Sequence, residues 1–134
     1  MKNTMSLKSI ILLTAFIVTG LLAACDDTYE LDPVVYTYEI PDSVITATSV
    51  KVTGQIQILG TIQIPEHGVE LYKETITNLV ATKSFNTVAT TDTFTVSFTG
   101  LQPSTKYYAW AYALVNTTRV HPQAPRQFTT KATK

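Results

Sequence analysis

The chain has 134 residues, with ten basic and ten acidic side chains and a formal net charge of zero. Nucleic-acid binding requires a concentration of basic side chains that this balance does not supply, so we expect no nucleic-acid partner. The single cysteine, Cys25, excludes an intramolecular disulfide, and the domain must therefore be held together by its apolar core.

The amino terminus has the organisation of a secretory signal. Residues 1–9 contain two lysines and no acidic residue, and residues 10–24 form an apolar run that ends in small residues. This run is shorter than the ~20 residues that a membrane-spanning helix needs. We therefore predict that residues 1–24 are a signal peptide.

The sequence Leu-Ala-Ala-Cys that ends at Cys25 resembles the bacterial lipobox. The resemblance implies that Cys25 becomes the first residue of the mature protein and carries two or three fatty acyl chains of the palmitate type, which is enough for stable membrane anchoring. The alternative is an ordinary signal peptide that happens to be followed by a cysteine. Under the lipobox interpretation, residues 25–33 are the lipidated cysteine and a short acidic tether that ends at Pro33.

The two aspartates that follow Cys25 leave two sorting outcomes open. In enteric bacteria such a start retains a lipoprotein at the inner membrane, whereas in Bacteroidetes-type surface lipoproteins an acidic start is associated with export. We favour the second outcome, an outer-membrane lipoprotein exposed at the cell surface.

The mature part of the chain has the composition of a β-protein. It contains eight basic and ten acidic residues, 21 threonines, and many valines, isoleucines, tyrosines and phenylalanines. These β-branched and aromatic side chains fit half-buried pleated surfaces better than helices. Its length is that of a single β-sandwich domain.

The first half of this domain contains two strands separated by turn signals. The first strand is predicted at residues 34–40. The second, at residues 49–58, alternates with period two and places one set of side chains inward: Val50, Val52, Gly54, Ile56 and Ile58. Residues 59–65 begin with a turn and continue as either a loop or a small extra hairpin limb.

Three further strands are predicted at residues 68–74, 80–85 and 93–99. In the third strand Val69 and Leu71 point inward, while the opposite parity is interpreted as a solvated face that carries Glu70, Tyr72 and Glu74. In the fifth strand the inward side chains are Phe94, Val96 and Phe98.

The strand that begins at Lys106 is apolar on both faces, as expected of a central strand. Ala109, Ala111 and Ala113 are assigned to the core, and the opposite face carries a row of aromatic side chains: Tyr108, Trp110 and Tyr112. A loop over residues 116–125, a last strand at residues 127–130 and a polar tail at residues 131–134 complete the chain.

The order Leu101, Pro103, Thr105, Tyr107 at every second position, followed by the run Ala-Trp-Ala-Tyr-Ala, resembles the E–F corner and F strand of fibronectin type III domains. Residues 45–54, 65–69 and 128–130 are similar to other strands of such domains in Bacteroidetes lipoproteins. The resemblance implies a seven-stranded, immunoglobulin-like β-sandwich over residues 34–130. It also implies that Tyr107 is the corner tyrosine, whose hydroxyl bonds to backbone a few residues upstream.

Candidate binding residues lie on and beside the aromatic row. Tyr108, Trp110 and Tyr112 could stack on sugar rings or seat an extended partner, with Arg119 and His121 as rim contacts from the adjoining loop. Alternatively, side chains of neighbouring strands cover the row.

The sequence offers no catalytic motif. It contains no Gly-x-Ser-x-Gly elbow, no His-Glu-x-x-His helix and no glycine-rich phosphate loop. A metal site would need Glu66 and Glu70 to converge on one of the two histidines, His67 or His121; we interpret both histidines instead as ordinary surface or strand-end residues. We therefore expect neither a cofactor nor a metal, and no enzymatic activity.

The functional hypothesis is a non-catalytic, membrane-anchored lipoprotein that displays one domain for binding or assembly at a bacterial cell surface, with a protein or glycan partner. The alternative is a carbohydrate-capture accessory of an outer-membrane uptake complex. An envelope hydrolase would need a nucleophile or a paired acid and base that the sequence does not provide.

Overall fold

A computed structural model of the chain describes residues 31–87 and 90–134. The predicted signal peptide, the lipobox with Cys25 and most of the tether lie outside the described residues. Within these two ranges, none of the helical segments has the length and apolarity to traverse a bilayer.

The described chain folds into two antiparallel sheets built from eight strands. In chain order these are β1 (Val34–Thr37), β2 (Ser49–Gln57), β3 (Glu66–Lys73), β4 (Leu79–Phe85), β5 (Asp92–Thr99), β6 (Lys106–Val115), β7 (Thr118–Val120) and β8 (Arg126–Thr129). The first sheet has the order β1-β2-β5, and the second has the order β4-β3-β6, with both β7 and β8 paired to the far side of β6. A short 3₁₀ turn at Asp42–Val44 follows β1. The predicted all-β sandwich is confirmed.

The strand count differs from the prediction at one place. Residues 116–125 were expected to be a loop, yet β7 occupies Thr118–Val120 and pairs with the end of β6. The connection is a two-residue turn in which Asn116 adopts a φ of 55°, a left-handed conformation that asparagine tolerates better than most residues. The last sheet-edge strand of the sandwich is thus split into β7 and β8, with residues 121–125 between them.

The predicted inward faces form the core between the two sheets. Val50, Val52 and Ile56 of β2 are buried. The inward residues Phe94, Val96 and Phe98 of β5 and the three alanines Ala109, Ala111 and Ala113 of β6 are buried as well. Small side chains on β6 leave room for the bulk that the opposite sheet provides, as close packing requires.

Gly54 shows how tightly the two sheets meet. A Cβ atom at this position would lie 2.7 Å from Cζ of Phe94 and 3.0 Å from Cβ of Ala111. The Phe94 ring therefore fills the space above Gly54, and a larger residue in β2 would displace it.

The segment between β2 and β3 is a loop and contains no additional strand. Two of its side chains, Ile62 and Ile64, are nevertheless buried and extend the core beyond the strands. The loop therefore closes one end of the sandwich with apolar side chains.

Candidate functional site

The outer face of the second sheet carries the predicted aromatic row. Because alternate residues of β6 point to opposite faces, burial of the three alanines places Tyr108, Trp110 and Tyr112 on the outer side. Register then places Glu70 of β3 beside Trp110, and Gly68 beside Tyr112. Arg119 of β7 lies across from Leu114 on the other side of β6.

Glu70 is the centre of a hydrogen-bonded network on this face. Its side chain is only 4% exposed and accepts hydrogen bonds from Tyr72 Oη at 2.7 Å and from the Arg119 guanidinium. His121 Nε2 lies 2.9 Å from Oε2, the oxygen that also accepts from Tyr72, whereas Arg119 bonds to Oε1. The interpretation of Glu70 as part of a solvated face is therefore wrong, because long side chains that arrive from β7 and the segment after it cover the middle of the sheet.

The electrostatics of this network favour an ionised Glu70. Burial alone would raise the pKa of Glu70, but the hydrogen bonds from Tyr72 and His121 and the positive charge of Arg119 bring it below its ordinary value. Burial, together with the hydrogen bond to this carboxylate, raises the pKa of Tyr72 to about 12. A carboxylate that is charged and fully hydrogen-bonded is poorly suited to act as an acid or a base.

Trp110 and Tyr112 are largely covered by the same segment. The Trp110 indole N–H donates to the Pro122 carbonyl at 2.9 Å, and the His121 ring centroid lies 4.8 Å from that of Trp110. Tyr112 is fully buried; its hydroxyl donates to Glu66 at 2.6 Å, and the Arg119 guanidinium lies 4.5 Å from its ring centroid.

These contacts correct the predicted binding residues. Tyr112 is wrong as a contact residue because it has no accessible surface, and its pKa is raised to about 12 by burial and by the hydrogen bond to Glu66. Tyr108 and Trp110 remain half-buried, with the Lys106 ammonium 5.7 Å from the Tyr108 ring centroid. Of the two alternatives left open by the sequence, coverage by a neighbouring strand describes Tyr112, which lies under Arg119 of β7, whereas Trp110 is partly covered by the segment after β7.

His67 lies near the beginning of β3, as a strand-end residue would, but it is buried and not at the surface. It shares the inner face of β3 with Val69 and Leu71, and its ring packs 5.3 Å from Phe85 and 4.8 Å from Phe94, measured between centroids. Burial lowers the pKa of His67. A backbone hydrogen bond at Asn86 and the negative charge of Asp92 act in the opposite direction but do not outweigh burial. Its Nδ1 atom is buried and has no hydrogen-bond partner among the described residues.

Of the residues considered for a metal site, Glu70 and His121 are in contact, but the others do not join them. His67 points into the core, whereas Glu66 and Glu70 hydrogen-bond on the outer face with Tyr112 and Tyr72. In the two described ranges, no three side chains from the set His, Cys, Asp and Glu come together in a metal-binding arrangement.

An open cleft of about 660 Å³ adjoins this network where the two sheets meet at one side of the sandwich. One wall is β1 with the two residues before it, and the other is the segment that runs from Val120 to Arg126. Tyr36, which is 43% exposed, stands at its rim, and His121 connects it to the Glu70 network.

Thr37 joins the two sheets at the floor of this cleft. Its Oγ1 accepts the backbone N–H of Ala111 at 2.9 Å, on the side of β6 opposite β3, where β7 and β8 leave a gap between them. Its carbonyl accepts a hydrogen bond from Arg126 Nε at 3.0 Å. The cleft therefore has a fixed floor.

Comparison with known proteins places the fold. The sensor domain of the anti-sigma factor RsgI4 of Pseudobacteroides cellulosolvens superposes with a TM-score of 0.55 at 15% identity, over 75% of this chain and 96% of that one. A human fourth FNIII domain superposes with a TM-score of 0.54 at 16% identity, over 82% of this chain and 88% of that one. The fold is a fibronectin type III-like β-sandwich. At these identities the likeness concerns the fold alone, and the chain matches no known sequence family and no curated protein.

The fibronectin type III-like corner is formed as its sequence suggests. Tyr107 is buried, stacks on Phe128 with ring centroids 5.6 Å apart, and accepts the backbone N–H of Gln102 on its hydroxyl at 3.0 Å. This is the upstream backbone contact expected of a tyrosine at the crossover between the sheets.

Sequence reasoning identified Arg119 and His121 as members of the site but missed what they bind. Their partner Glu70 lies 49 and 51 residues away. The one available signal was that Glu70 has the same outward parity in β3 as the aromatic row has in β6. No feature of the sequence indicated the cleft, because the cleft depends on how β7 and β8 divide the edge of the sheet.

Proposed function

We propose that this chain is a non-catalytic lipoprotein, anchored through lipid on Cys25 at the outer membrane of a bacterium, whose fibronectin type III-like domain binds a protein or glycan at the cell surface. The observation that carries the proposal is the contrast between two surfaces. The acidic and aromatic side chains of the outer face are engaged with one another, whereas the adjoining cleft stays open with an exposed aromatic residue at its rim.

The chemistry of the outer face supports a binding role over a catalytic one. A catalytic acid or base needs a proton that it can exchange near neutral pH, and a nucleophile needs an adjacent base. Glu70 is held as a carboxylate by three partners, and Tyr72 and Tyr112 have pKa values near 12. These groups fix the segment that forms one wall of the cleft.

The position of the cleft supports a role near the membrane. Asp32 and Pro33, which line it, follow the predicted lipid-modified Cys25 by only a few residues. A partner held in the cleft would therefore be held close to the surface to which the domain is attached.

Two tyrosines allow a matched test of this assignment. Tyr36 and Tyr38 are each 43% exposed, but only Tyr36 lines the cleft, whereas the hydroxyl of Tyr38 bonds to Gln55 at 2.8 Å. The mature protein, its Tyr36→Ala variant and its Tyr38→Ala variant would be immobilised and exposed to solubilised envelope of the producing bacterium and to a glycan array. We expect Tyr36→Ala to weaken capture and Tyr38→Ala to retain it; equal capture by both variants, or none by the wild type, contradicts the proposal.

The anchor is tested separately. Mass spectrometry of the protein purified from its own membranes should find Cys25 at the amino terminus with two or three acyl chains, and Cys25→Ala should release the protein from the membrane fraction. An intact amino terminus at Met1 would contradict this part of the proposal.

The carbohydrate-capture alternative is favoured by one observation. The exposed ring of Tyr36 stands in the same cleft as the planar polar side chains of Gln123 and Arg126, which is a combination suited to sugar rings. Retention of the wild type, but not of Tyr36→Ala, on polysaccharide gels would select this alternative.

A further inference from the structure

The free edge of β4 presents accessible backbone groups. The N–H of Lys73 donates to the Asn78 carbonyl at 2.9 Å, so the odd-numbered residues of β3 direct their backbone groups towards β4. In the register of this pair Lys83 lies opposite an odd-numbered residue of β3. Its neighbours Thr82 and Ser84, which are both exposed, therefore direct their N–H and C=O groups away from β3. Within the described residues no strand pairs with β4 on that side.

Exposed apolar side chains are concentrated on and beside this strand. Eight large hydrophobic side chains are exposed in the described part of the chain, and four of them lie between residues 76 and 85: Ile76, Leu79, Val80 and Phe85. The first sheet ends at β5, and β4 extends beyond it, since Phe85 is 40% exposed although it pairs with His67 of the inner face. Such clustering is typical of an interaction surface. β5, the other free edge on this side, has no exposed large hydrophobic side chain.

A groove of about 350 Å³ lies between β4 and the end of β5. Leu71, Phe98 and Tyr107, which are all buried, form its apolar floor. Val80 and Ala81 of β4 form one rim. A segment that lies along β4 can therefore place an apolar side chain in this groove.

Charge indicates the chemistry of that segment. Lys83 is the one charged residue of β4, is exposed, and forms no ion pair with any described residue. In a symmetric antiparallel pairing of two copies, with Thr82 of each opposite Ser84 of the other, the two Lys83 side chains would lie directly opposite. Like charges in that position are destabilising, which disfavours a second copy of this chain. A carboxylate of a different partner would be attracted to the same position.

We propose that the free edge of β4 binds an extended segment of a partner protein as an additional strand, with a carboxylate opposite Lys83 and an apolar side chain in the groove beside Val80. An exposed edge with unpaired N–H and C=O groups is a template for such a strand. Hydrogen bonds to the backbone of Thr82 and Ser84 provide affinity, while the carboxylate and the apolar side chain provide selectivity.

This surface is separate from the cleft of the proposed function. β4 and β5 are the sheet edges on one side of the sandwich, whereas the cleft lies on the other side, between β1 and the segment that joins β7 to β8. The two sites can therefore be tested independently.

Two threonines allow the edge of β4 to be compared with the edge of β5. Thr82→Pro removes an N–H that points away from β3, and proline is tolerated on edge strands at such positions. Thr95 of β5 is also exposed and pairs with Thr53, whose carbonyl accepts the N–H of Tyr38 on the side of β1. The N–H of Thr95 therefore points away from β2, and Thr95→Pro makes the same change at the other free edge.

Two lysines provide a second matched pair that does not alter the backbone. Lys83→Glu reverses the charge that the partner strand would face. Lys51 of β2 is also exposed and forms no ion pair with any described residue. Lys51→Glu therefore makes the same change in net charge away from the edge of β4.

The experiment uses the mature protein as bait for a phage-displayed library of random dodecapeptides. We expect enriched peptides to combine aspartate or glutamate with apolar residues and to bind wild type, Thr95→Pro and Lys51→Glu alike. Binding should be at least about tenfold weaker for Thr82→Pro and about threefold or more weaker for Lys83→Glu. Hydrogen exchange at the Thr82 and Ser84 amides of the wild type should slow when such a peptide is bound.

The inference is overturned if no peptide is enriched, if the enriched peptides are basic, or if Lys83→Glu binds them as tightly as Lys51→Glu. It is also overturned if Thr82→Pro retains full affinity, or if Thr95→Pro loses as much as Thr82→Pro. Should Thr82→Pro fail to fold, the comparison of the two lysine variants and the exchange of the wild-type amides decide the question. Loss of peptide binding in Tyr36→Ala would move the peptide to the cleft and reject the edge of β4.

Discussion

Glu70→Gln is the sharpest test of the network that holds the wall of the cleft. The substitution keeps the size of the side chain and one acceptor oxygen but removes the charge to which Tyr72, Arg119 and His121 are hydrogen-bonded. Hydrogen bonds to a charged group contribute roughly 1.5 to 3 kcal/mol each. The Arg119 contribution must be discounted because that side chain is 39% exposed. Because the hydrogen bonds to Tyr72 and His121 are weakened, we expect the free energy of unfolding to fall by about 2 to 3 kcal/mol.

Urea unfolding of the mature protein, followed by fluorescence, would measure this loss. With a slope of roughly 1 to 3 kcal/mol per M, a loss of about 2 to 3 kcal/mol should lower the midpoint by about 0.7 to 3 M. Glu74→Gln is the matched control, because Glu74 is exposed at the end of the same strand and should leave the midpoint unchanged. An unchanged midpoint for Glu70→Gln would refute the assignment of Glu70 as the centre of the network.

The pH dependence gives a second readout of the same variant. Because the folded-state pKa of Glu70 is lowered from 4.5, its contribution to stability is present above that value and is lost as the pH falls through the lowered folded-state pKa. The difference in stability between wild type and Glu70→Gln should therefore shrink on acidification. A difference that stays constant down to the acid unfolding of the protein would contradict the ionised state of Glu70.

Three further substitutions probe the core. Tyr107→Phe removes the hydroxyl that accepts the Gln102 N–H and should cost about 1 to 2 kcal/mol in urea unfolding; an unchanged midpoint would show that the corner bond is unimportant. Gly54→Ala places a Cβ against Phe94 and should cost about 1 to 3 kcal/mol, with partial recovery when Phe94→Leu is added. Burial lowers the pKa of His67 below 6.5, so the stability of the wild type should decline as the pH falls below 6.5. In thermal unfolding, His67→Leu should flatten this dependence of stability on pH. An unaltered dependence would assign the decline to other groups.

The inner faces of the strands could be predicted from the sequence, because the condition that buries them is local. Alternation of apolar residues with period two defines one face, and any sandwich must bury that face. Val52 of β2, Phe94 of β5 and Ala111 of β6 were therefore assigned correctly without knowledge of the neighbouring strands. His67 obeys the same rule, but the predicted strand began at Gly68, two residues after the observed start at Glu66, and so left it out.

The outer faces could not be predicted in the same way, because their environment depends on residues far away in the chain. Glu70 has the outward parity of a solvated carboxylate, and only the arrival of Arg119 and His121 makes it buried. The sequence placed these two residues beside the aromatic row but gave no indication of where the chain turns after Asn116. That turn, with its positive φ, converts a predicted loop into β7 and carries Arg119 over the sheet.

The covered aromatic row and the open cleft have a common origin in the segment between β7 and β8. Both strands pair with β6, but residues 121–125 leave the sheet, and in doing so they bring the Pro122 carbonyl to the Trp110 indole. A segment used to cover the outer face cannot also close the side of the sandwich, where Thr37 bridges to β6. The departure that covers much of Trp110 is therefore also the departure that leaves a cleft beside β1. This is why we place the binding function at the cleft and not on the aromatic face.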